Sequence, residues 1–464
     1  MKKVLLIAAL VVLFAALAAC SPAPTPAPTA APPTTAPQAT TAPTTAPTAA
    51  ATKAATTAPT SAATTAATKA PTTAATTAAT TAATSSPTTA TKSITFGVVL
   101  VGPYNDHGWS EANYIAANYV KQKLPGSDFI YLDKLNPSDR PGTTLEQVVT
   151  DMASKGVKLI LTTSDDFQTD TTTAAQKHPD LTFINVSGDN AWKDGKNYKG
   201  LKNLGNFMGK MEYMKMVAGC AAALTTQTGK IGFLGPLVND ETRRLADSAY
   251  LGARYCWTTY AKKDPSALKF DVKWIGYWFN IPGVTLDPTQ VANGFYDAGN
   301  DVVISGIDTT EALVVAGQRQ KQGQKVYALS YDYINGCNEA PDACLGVPYF
   351  NWGPRYLKTV RDFAAGTWQP GWYWDGPDWK DINNPDTSAV GFTYGKALSN
   401  ANKATIQNQF IPGMADGSIS LWKGPVTLQD GSTYIAAGST ATDQQIWYMP
   451  QLLQGMTGAS APTK

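Results

Sequence analysis

The chain has 464 residues and a formal charge of +2, and that charge is unevenly distributed. Residues 1–92 contain five lysines and no acidic residue, which leaves 32 basic and 35 acidic side chains in residues 93–464. That part therefore offers no basic field for nucleic acid, and the presence of only two histidines, His107 and His178, disfavours a zinc enzyme or a histidine-centred triad.

Residues 1–20 have the pattern of an export leader. Two lysines precede an unbroken apolar stretch over residues 4–17, which is shorter than the about twenty residues needed to span a bilayer. The string Leu17-Ala18-Ala19-Cys20 resembles the bacterial lipobox, whose cysteine is acylated and becomes the mature N-terminus. We predict a lipoprotein signal peptide, palmitate-type acylation of Cys20 and a location at the extracytoplasmic face of the cell membrane. The alternatives are an ordinary signal peptide with a chance cysteine, or a short membrane anchor.

Residues 21–92 are predicted to be a disordered tether. They consist almost wholly of Thr, Ala, Pro and Ser and contain no aromatic residue, so that burial cannot offset their ordering entropy. The prolines make such a segment a semi-stiff spacer, which would hold the following module away from the membrane. Its Thr and Pro content also makes it a candidate for O-glycosylation.

Four cysteines follow Cys20, an even number that is compatible with disulfides in an exported protein. Cys337 and Cys344 flank a short proline-containing segment and are predicted to close a local loop. Cys220 and Cys256 then remain to pair with each other, but both lie in helix-like sequence and are equally interpretable as buried thiols.

Residues 93–464 alternate between predicted strands and helices, in two series. The first series has predicted strands at 94–101, 128–132, 158–162 and 181–186, and predicted helices at 111–124, at 145–155 and ending at 174–177. Its first strand is a continuous, β-branched apolar run, typical of a strand buried on both faces. This alternation predicts an α/β fold with a parallel, doubly wound sheet.

The second series predicts another sheet of the same kind. Its predicted strands are 230–234, 270–276, 301–304 and 325–330, and its predicted helices are 212–224, 242–260, 289–298 and 311–322. Because a single core rarely exceeds about 250–300 residues, we predict two Rossmann-like lobes with a cleft between them. Lobe one is expected at about 93–205 plus a later returning segment, and lobe two at about 206–345 plus C-terminal strands. The Trp-rich segment 368–379 is predicted to be irregular, with strands.

Acidic, hydroxyl and indole side chains follow the predicted strands, where ligands bind in open α/β sheets. They are Asp106, Trp109, Ser164, Asp165, Trp278, Asp308 and Asp332. Indole faces stack on planar rings and carboxylates accept hydrogen bonds, so this set predicts a cleft for a flat ligand with polar edges. Two of the aspartates, Asp106 and Asp308, are also interpretable as helix N-caps, and either tryptophan alone as a packing residue.

Several strings in this part resemble the basic membrane protein (BMP) family of substrate-binding lipoproteins, which serve ABC importers of nucleosides and purines. They are Val101-Gly-Pro, Asp106-x-Gly-Trp109, residues 207–219, Lys230-Ile-Gly-Phe, Trp274-Ile-x-x-Trp-Phe279, Gly299-Asn-Asp301, Ile307-Asp308-Thr309, Tyr331-Asp332 and Phe350-x-Trp352-Gly-Pro354. The resemblance implies a type I periplasmic-binding-protein fold, with crossovers near Gly205 and near the end of the second series.

The resemblance also implies roles for the strand-end residues. Trp109 and Trp278 are expected to grip a base, and Asp332 to accept hydrogen bonds from ribose hydroxyls or base N–H groups. The remaining expected cleft residues are Asp106 and Asp308, with Ser164, Asp165 and Met211 as secondary candidates. No cofactor, metal or catalytic residue is implied.

These patterns favour a receptor that passes a purine base or nucleoside to an ABC permease. A sensory protein for the same ligand, or a receptor for another polar solute such as a sugar, are the alternatives. A nucleoside hydrolase would need a metal cluster or an acid–base pair, for which the sequence offers only the Asp165-Asp166 doublet. A surface adhesin on a stalk would not require a polar, aromatic cleft.

Overall fold

A computed structural model of the chain describes residues 94–462. The predicted leader, Cys20 and the tether therefore lie outside the described residues. The chain divides into two units, residues 1–84 and 85–464, and the structure reported below belongs to the second unit. Within residues 94–462, no helix combines the length and apolar character needed to cross a membrane.

The strands and helices of the described part alternate as predicted for an α/β fold. In chain order the strands are β1 (Ile94–Leu100), β2 (Ser127–Leu132), β3 (Leu159–Thr163), β4 (Thr182–Val186), β5 (Leu204–Gly209), β6 (Lys230–Gly235), β7 (Lys269–Trp274), β8 (Val302–Ser305), β9 (Tyr327–Leu329), β10 (Cys344–Phe350), β11 (Trp372–Asp375), β12 (Val390–Tyr394), β13 (Val426–Thr427), β14 (Thr433–Ile435) and β15 (Met456–Thr457). The helices are α1 (Trp109–Lys123), α2 (Leu145–Ser154), α3 (Gln168–Lys177), α4 (Met211–Thr225), α5 (Asp240–Thr259), α6 (Pro288–Asp297), α7 (Glu311–Lys321), α8 (Gly353–Ala364), α9 (Asn400–Thr405), α10 (Ile411–Ala415) and α11 (Asp443–Trp447).

Two open sheets form the two lobes. The first has the order β11-β5-β4-β3-β1-β2 with every pair parallel, and the second has the order β12-β10-β9-β8-β6-β7-β15, in which the β10–β12 pair is antiparallel. The strand order reverses between β1 and β3 in the first sheet and between β6 and β8 in the second. Such reversal points leave a crevice beyond the carboxyl ends of the strands. The fold therefore places the loops after β1, β3, β6 and β8 around potential ligand space.

The chain crosses between the lobes several times. It passes from β5 through α4 to β6, returns to the first sheet at β11, and re-enters the second sheet at β12. The Trp-rich segment is thus a parallel edge strand, since Trp372–Asp375 pairs with residues 206–209 of β5. No periodic pattern in the sequence indicated this pairing, because an edge strand of four residues gives too short a signal.

Local sequence explains where several elements begin. The side chain of Asn239 accepts a hydrogen bond from the backbone N–H of Thr242 at 2.9 Å and starts α5. Asp287 caps α6 in the same way, ahead of Pro288, whose fixed φ suits the first helical turn. Strand β5 was not predicted, since its sequence LGNFMG is rich in glycine; at Gly209 a Cβ would lie 2.6 Å from the Val390 side chain.

Two disulfides tie elements of the second unit together. Cys220 is bonded to Cys256 and joins α4 to α5. Cys337 is bonded to Cys344 and closes the loop that leads into β10.

Candidate functional site

A cavity lies where the strand-order reversal points of the two sheets face each other. It encloses about 460 Å³, counted together with the part that opens to solvent. Its lining residues come from both lobes and are Trp109, Ser164, Asp165, Ser187, Phe233, Pro236, Glu241, Thr242, Leu245, Trp278, Gly306, Asp308 and Tyr331. We call this space the cleft cavity.

Four of the residues that line the cavity are aromatic, namely Trp109, Phe233, Trp278 and Tyr331. The indole N–H of Trp109 donates to the carbonyl of Thr163 at 2.7 Å, and its ring meets those of Phe350 and Trp352 edge-on at 5.3 and 5.4 Å between centroids. These contacts fix the plane of the Trp109 ring. In the second lobe, Trp278 is only 9% exposed, and its indole N–H donates a hydrogen bond to the carboxylate of Asp166. A flat ligand would meet rings whose positions are set in advance.

The polar part of the wall is acidic. Three carboxylates, those of Asp165, Glu241 and Asp308, line the cavity, and the lining residues include no lysine, arginine or histidine. Burial, with the neighbouring Asp332 carboxylate second, raises the pKa of Asp308 well above its usual value. Burial and the nearby carboxylates raise the pKa of Asp165 to about 7. A raised pKa keeps a carboxyl protonated to higher pH, and in that form it both donates and accepts a hydrogen bond; once ionised it accepts only and repels an anion.

Several hydrogen bonds cross from one lobe to the other. The carboxylate of Asp166 accepts from the indole N–H of Trp278 at 3.1 Å and from the hydroxyl of Tyr277. Asn239 donates to Asp165 at 3.3 Å. In addition, the hydroxyl of Ser187 donates to the carboxylate of Glu241 at 3.0 Å. The structure is therefore a closed form, in which the lobes contact each other around the cavity.

One close approach of the backbone depends on closure. A Cβ placed on Gly108, in the first lobe, would lie 1.6 Å from the carbonyl oxygen of Asp308, in the second. No side chain fits in that space, whereas a glycine does. Gly108 thus allows the two strand-end loops to meet.

Five of the strand-end residues selected from the sequence line the cleft cavity. They are Trp109, Ser164, Asp165, Trp278 and Asp308. Met211 instead lies fully buried at the start of α4 and is absent from the lining. The residues selected from the sequence thus include some from each lobe that line the cavity, but not all of the selected residues line it.

Asp106 is occupied by its own loop. Its carboxylate accepts from the backbone N–H groups of Gly108, Ser110 and Glu111 at 2.9, 3.0 and 2.9 Å. Burial raises its pKa to about 6, although those three hydrogen bonds act in the opposite direction. This arrangement fits the helix-cap interpretation, because Asp106 satisfies free N–H groups at the start of α1.

Asp332 lies behind the wall rather than in it. The side chain is fully buried, its φ is +67°, and neither carboxylate oxygen has a hydrogen-bond partner among the described residues. The ammonium of the buried Lys215 donates to the carbonyl of Ser305 at 2.7 Å and lies 3.2 Å from the ring centroid of Tyr331. Burial lowers the pKa of Lys215 to about 7, while burial raises the pKa of Asp332. The pair therefore adjoins Tyr331, which does line the cavity.

The other lining residues were missed, for two different reasons. Ser187 and Pro236 follow β4 and β6, so that inspection of every strand end would have found them. Glu241, Thr242 and Leu245 come from the first turns of α5, where no strand-end pattern applies. Within the described residues, no group of three or more His, Cys, Asp or Glu side chains is placed to hold a metal ion.

Comparison with known proteins places the chain in a family. Residues 93–375 match the family model Bmp, described as "ABC transporter substrate-binding protein PnrA-like". A purine-binding protein of Brucella abortus is 26% identical over 372 residues, which cover 79% of this chain and 93% of that protein. A putative ABC transporter glucose-binding protein of Haloferax volcanii is 25% identical over 278 residues, covering 60% of this chain and 63% of that protein.

Solved structures agree on the fold. An ABC transporter solute-binding protein of Aeropyrum pernix K1 aligns with a TM-score of 0.55 at 13% identity, over 76% of this chain and 95% of its own. That likeness confirms the fold expected from the sequence, with two lobes and a ligand cleft. Members of the matched family bind substrates for ABC transporters and are not enzymes. The chain belongs to the Bmp family of PnrA-like ABC transporter substrate-binding proteins.

Proposed function

We propose that this protein is a lipid-anchored receptor that captures a purine base or nucleoside in the cleft cavity and delivers it to an ABC importer. Members of the family are extracytoplasmic and supply substrates to a permease. The proposal adds the identity of the ligand and the lipid anchor. The choice of a purine rests on one observation about the lining of the cleft cavity. Each lobe contributes an indole ring, and all the charged lining residues are acidic.

A purine suits this lining. Trp109 and Trp278 present faces on which a base can stack, at about 1–3 kcal/mol per base. Asp165 and Asp308 accept hydrogen bonds, which purine N–H groups and ribose hydroxyls donate. Because the lining has no cation, a phosphate group would be left unpaired beside carboxylates. We therefore expect bases and nucleosides to bind and nucleotides to be rejected.

Closure makes the binding selective. A ligand that touches Trp109 and Trp278 together contacts both lobes, so it binds the closed form better than an open one and shifts the population. The hydrogen bonds from Trp278 and Tyr277 to Asp166 then join the lobes over the ligand. A permease can in this way distinguish the loaded receptor from the empty one.

A sugar is the second candidate. One relative is named a glucose-binding protein and another a purine-binding protein, and both align with this chain at similar identity. Carboxylates and indole rings also bind sugars, through hydroxyl donors and through apolar ring faces. What favours the purine is the presence of an indole from each lobe, since a flat ring can contact both.

Calorimetric titration of the full mature chain decides between these ligands. We expect heat of binding with adenosine, guanosine or inosine or with their free bases, and none with glucose. Binding of glucose alone would replace the purine by the sugar. Release of free base from a nucleoside during the titration would contradict a receptor and indicate a hydrolase.

Anchoring through Cys20 is a separate part of the proposal, because the leader and the tether lie outside the described residues. The lipobox-like string and the following Thr/Pro-rich segment support it. We expect the wild-type protein in the membrane fraction with an acylated N-terminal cysteine by mass spectrometry, and a Cys20→Ser variant without that modification. An unmodified cysteine in the wild-type protein would contradict the anchor.

Transport is distinguished from sensing by uptake of labelled ligand in cells that lack the receptor.

A further inference from the structure

The last part of the described chain contacts both lobes. Residues 443–460 contain α11 and β15 and do not line the cleft cavity. They also lie beyond residues 93–375, which match the family model. We call this segment the C-terminal strap.

The C-terminal strap is anchored in the second lobe. Its strand β15 pairs in parallel with β7 of the second sheet. The guanidinium of Arg243, on α5, donates to the carbonyl of Met449 at 2.7 Å. The carboxylate of Asp247, also on α5, accepts from the backbone N–H of Leu453 at 3.1 Å. A strand pairing and two hydrogen bonds therefore make the strap part of this lobe.

Polar side chains of the strap reach across to the first lobe, where they meet the loop between β4 and β5. The hydroxyl of Tyr448 donates to the carboxylate of Asp189 and accepts from the backbone N–H of Lys196 at 2.6 Å. The side-chain amide of Gln444 donates to the carbonyl of Asp194 at 2.5 Å. Burial and the hydrogen bond to Asp189 raise the pKa of Tyr448, so its hydroxyl keeps its proton and remains a donor.

Aromatic contacts also join the strap to the first lobe. The rings of Tyr448 and Trp192 stack with their centroids 5.7 Å apart and their planes inclined by 9°. Trp447 is only 6% exposed and meets the rings of Trp372 and Trp374, on β11 of the first sheet, edge-on at 5.1 Å each. Separation of the lobes at this place would expose apolar ring surface to water, which is unfavourable.

The strap lies beside the cleft cavity. Trp447 and Tyr448 line a groove between the lobes that encloses about 1000 Å³, counted together with the part that opens to solvent. This groove shares Asp165, Ser187 and Glu241 with the cleft cavity. The strap and the hydrogen bond from Ser187 to Glu241 therefore join the same two lobes at neighbouring places.

We propose that the C-terminal strap holds the two lobes in the closed arrangement, with Tyr448 as the positioning residue that fixes the loop after β4. Because the strap joins the lobes outside the ligand space, it stabilises the closed form whichever solute occupies the cleft. A receptor whose closed form is populated in advance binds its ligand more tightly, since less of the binding free energy is used for closure. The strap adjusts affinity and not the choice of ligand.

Double electron–electron resonance on the full mature chain measures the distance between the lobes without any ligand. One spin label is attached to Gln176→Cys on α3 of the first lobe and the other to Val284→Cys in the loop after β7 of the second lobe, since both residues are exposed. The four cysteines that the structure describes are bonded in pairs and do not react with the label. A chain without the two new cysteines gives the background signal.

Tyr448→Phe removes only the hydroxyl that joins the lobes. We expect it to shift the distances in the ligand-free protein towards longer values, and Gln444→Ala, which removes the contact with Asp194, to shift them less. Tyr296→Phe is the matched control, because that hydroxyl donates to the carbonyl of Tyr327 at 3.0 Å within the second lobe. Equal distances in Tyr448→Phe and wild-type protein, or an equal shift in Tyr296→Phe, would overturn the proposal. If Tyr448→Phe fails to fold, Gln444→Ala decides.

The release of a ligand gives a second readout, with adenosine as the probe, a choice that rests on the proposed function. We expect about 2- to 10-fold faster dissociation of adenosine from Tyr448→Phe than from the wild-type protein, and an unchanged ratio of the affinities for adenosine and guanosine. An unchanged dissociation rate would contradict a role of the strap in holding the ligand. Absence of adenosine binding to the wild-type protein would contradict the purine assignment alone, and the distance measurement would then decide on the strap.

Discussion

The cleft cavity differs in how the chain builds it from a second cavity, which is lined by the start of α4, by Trp374 of β11 and by residues between Met414 and Ile446. The cleft cavity lies beyond the carboxyl ends of parallel strands, and Asp, Ser and Trp residues that follow these strands line it. The second is assembled from a helix start, an edge strand and a C-terminal segment, and its charges are paired. Fold topology therefore dictates where the cleft lies, whereas packing of the C-terminal segment against α4 and β11 creates the second cavity. Because the closed arrangement of the lobes forms the cleft cavity, substitutions that prevent closure test its role directly.

The largest effect is expected from Gly108→Ala. The new Cβ would lie 1.6 Å from the carbonyl oxygen of Asp308 in the closed form, so the lobes could not close fully. Overpacking costs about 1–3 kcal/mol and occasionally more, and a clash with backbone belongs at the upper end, so we expect at least roughly 100-fold weaker binding of the cleft ligand. Calorimetry on the full mature chain measures this. Gly294→Ala is the matched control, since nothing lies within 4 Å of a Cβ there. Unchanged affinity in Gly108→Ala would show that the ligand does not require this closed form.

Removal of a stacking face comes next. Trp278→Ala should weaken purine binding by about 5- to 100-fold, since stacking contributes about 1–3 kcal/mol per base. Titration with the same nucleoside measures the change. Tyr198→Ala is a suitable control, because Tyr198 is 43% exposed and does not line the cleft cavity. Equal affinities for the wild-type protein and Trp278→Ala would contradict stacking on this face.

A smaller effect is expected from the bridge between the lobes. Asp166 accepts from Trp278 and Tyr277 across the cleft, so Asp166→Asn would replace a charged acceptor by a neutral amide. Because Asp166 is solvent-exposed, we expect only a roughly 2- to 10-fold loss of cleft-ligand affinity, mainly as faster dissociation. Stopped-flow fluorescence measures that rate. Asp170→Asn, on the exposed side of α3, is the control. A dissociation rate that is the same in Asp166→Asn and wild-type protein would exclude a role for the bridge.

The smallest effect concerns pH. The pKa values of Asp106 and Asp165 are raised in the folded state to about 6 and about 7, mainly by burial. The stability that they contribute is therefore fully present below the unfolded value of about 4 and is lost as the pH rises through 6 and 7. We predict that the melting temperature of the ligand-free protein falls between about pH 4.5 and pH 6.5, below the range in which Lys215, whose pKa is lowered to about 7, acts in the opposite direction, and that it falls less in Asp165→Asn. A melting temperature that rises over this interval would contradict the direction of both shifts.

The parts of the molecule that follow from periodicity could be predicted from the sequence. The strands and helices of both series lie within a few residues of their predicted positions, because buried parallel strands and amphipathic helices leave strong patterns. Trp109, Ser164, Asp165, Trp278 and Asp308 were found because they follow such strands. The periodic patterns of apolar residues were therefore enough to infer the α/β fold and its two lobes.

The parts that escaped prediction depend on contacts between distant residues. Edge strand β11 and glycine-rich β5 carry no clear period, although they pair with each other. Glu241 and Leu245 reach the cleft from a helix, and Tyr331 contacts the buried Lys215, for which the sequence analysis predicted no role. The second cavity brings Glu212 together with Met414 and Trp422, a proximity that only the folded structure reveals.

The most direct test of the central claim compares a nucleoside with its own 5′-monophosphate. Both present the same base to Trp109 and Trp278, but only the monophosphate brings an anion to a lining whose charged groups are all acidic. A phosphate that leaves water for a lining without a lysine, arginine or histidine loses its hydration without gaining a cation, which costs several kcal/mol, so calorimetry on the full mature chain should show binding of the nucleoside and at least about 100-fold weaker binding of the monophosphate. Equal or tighter binding of the monophosphate would contradict a cleft built for an uncharged purine.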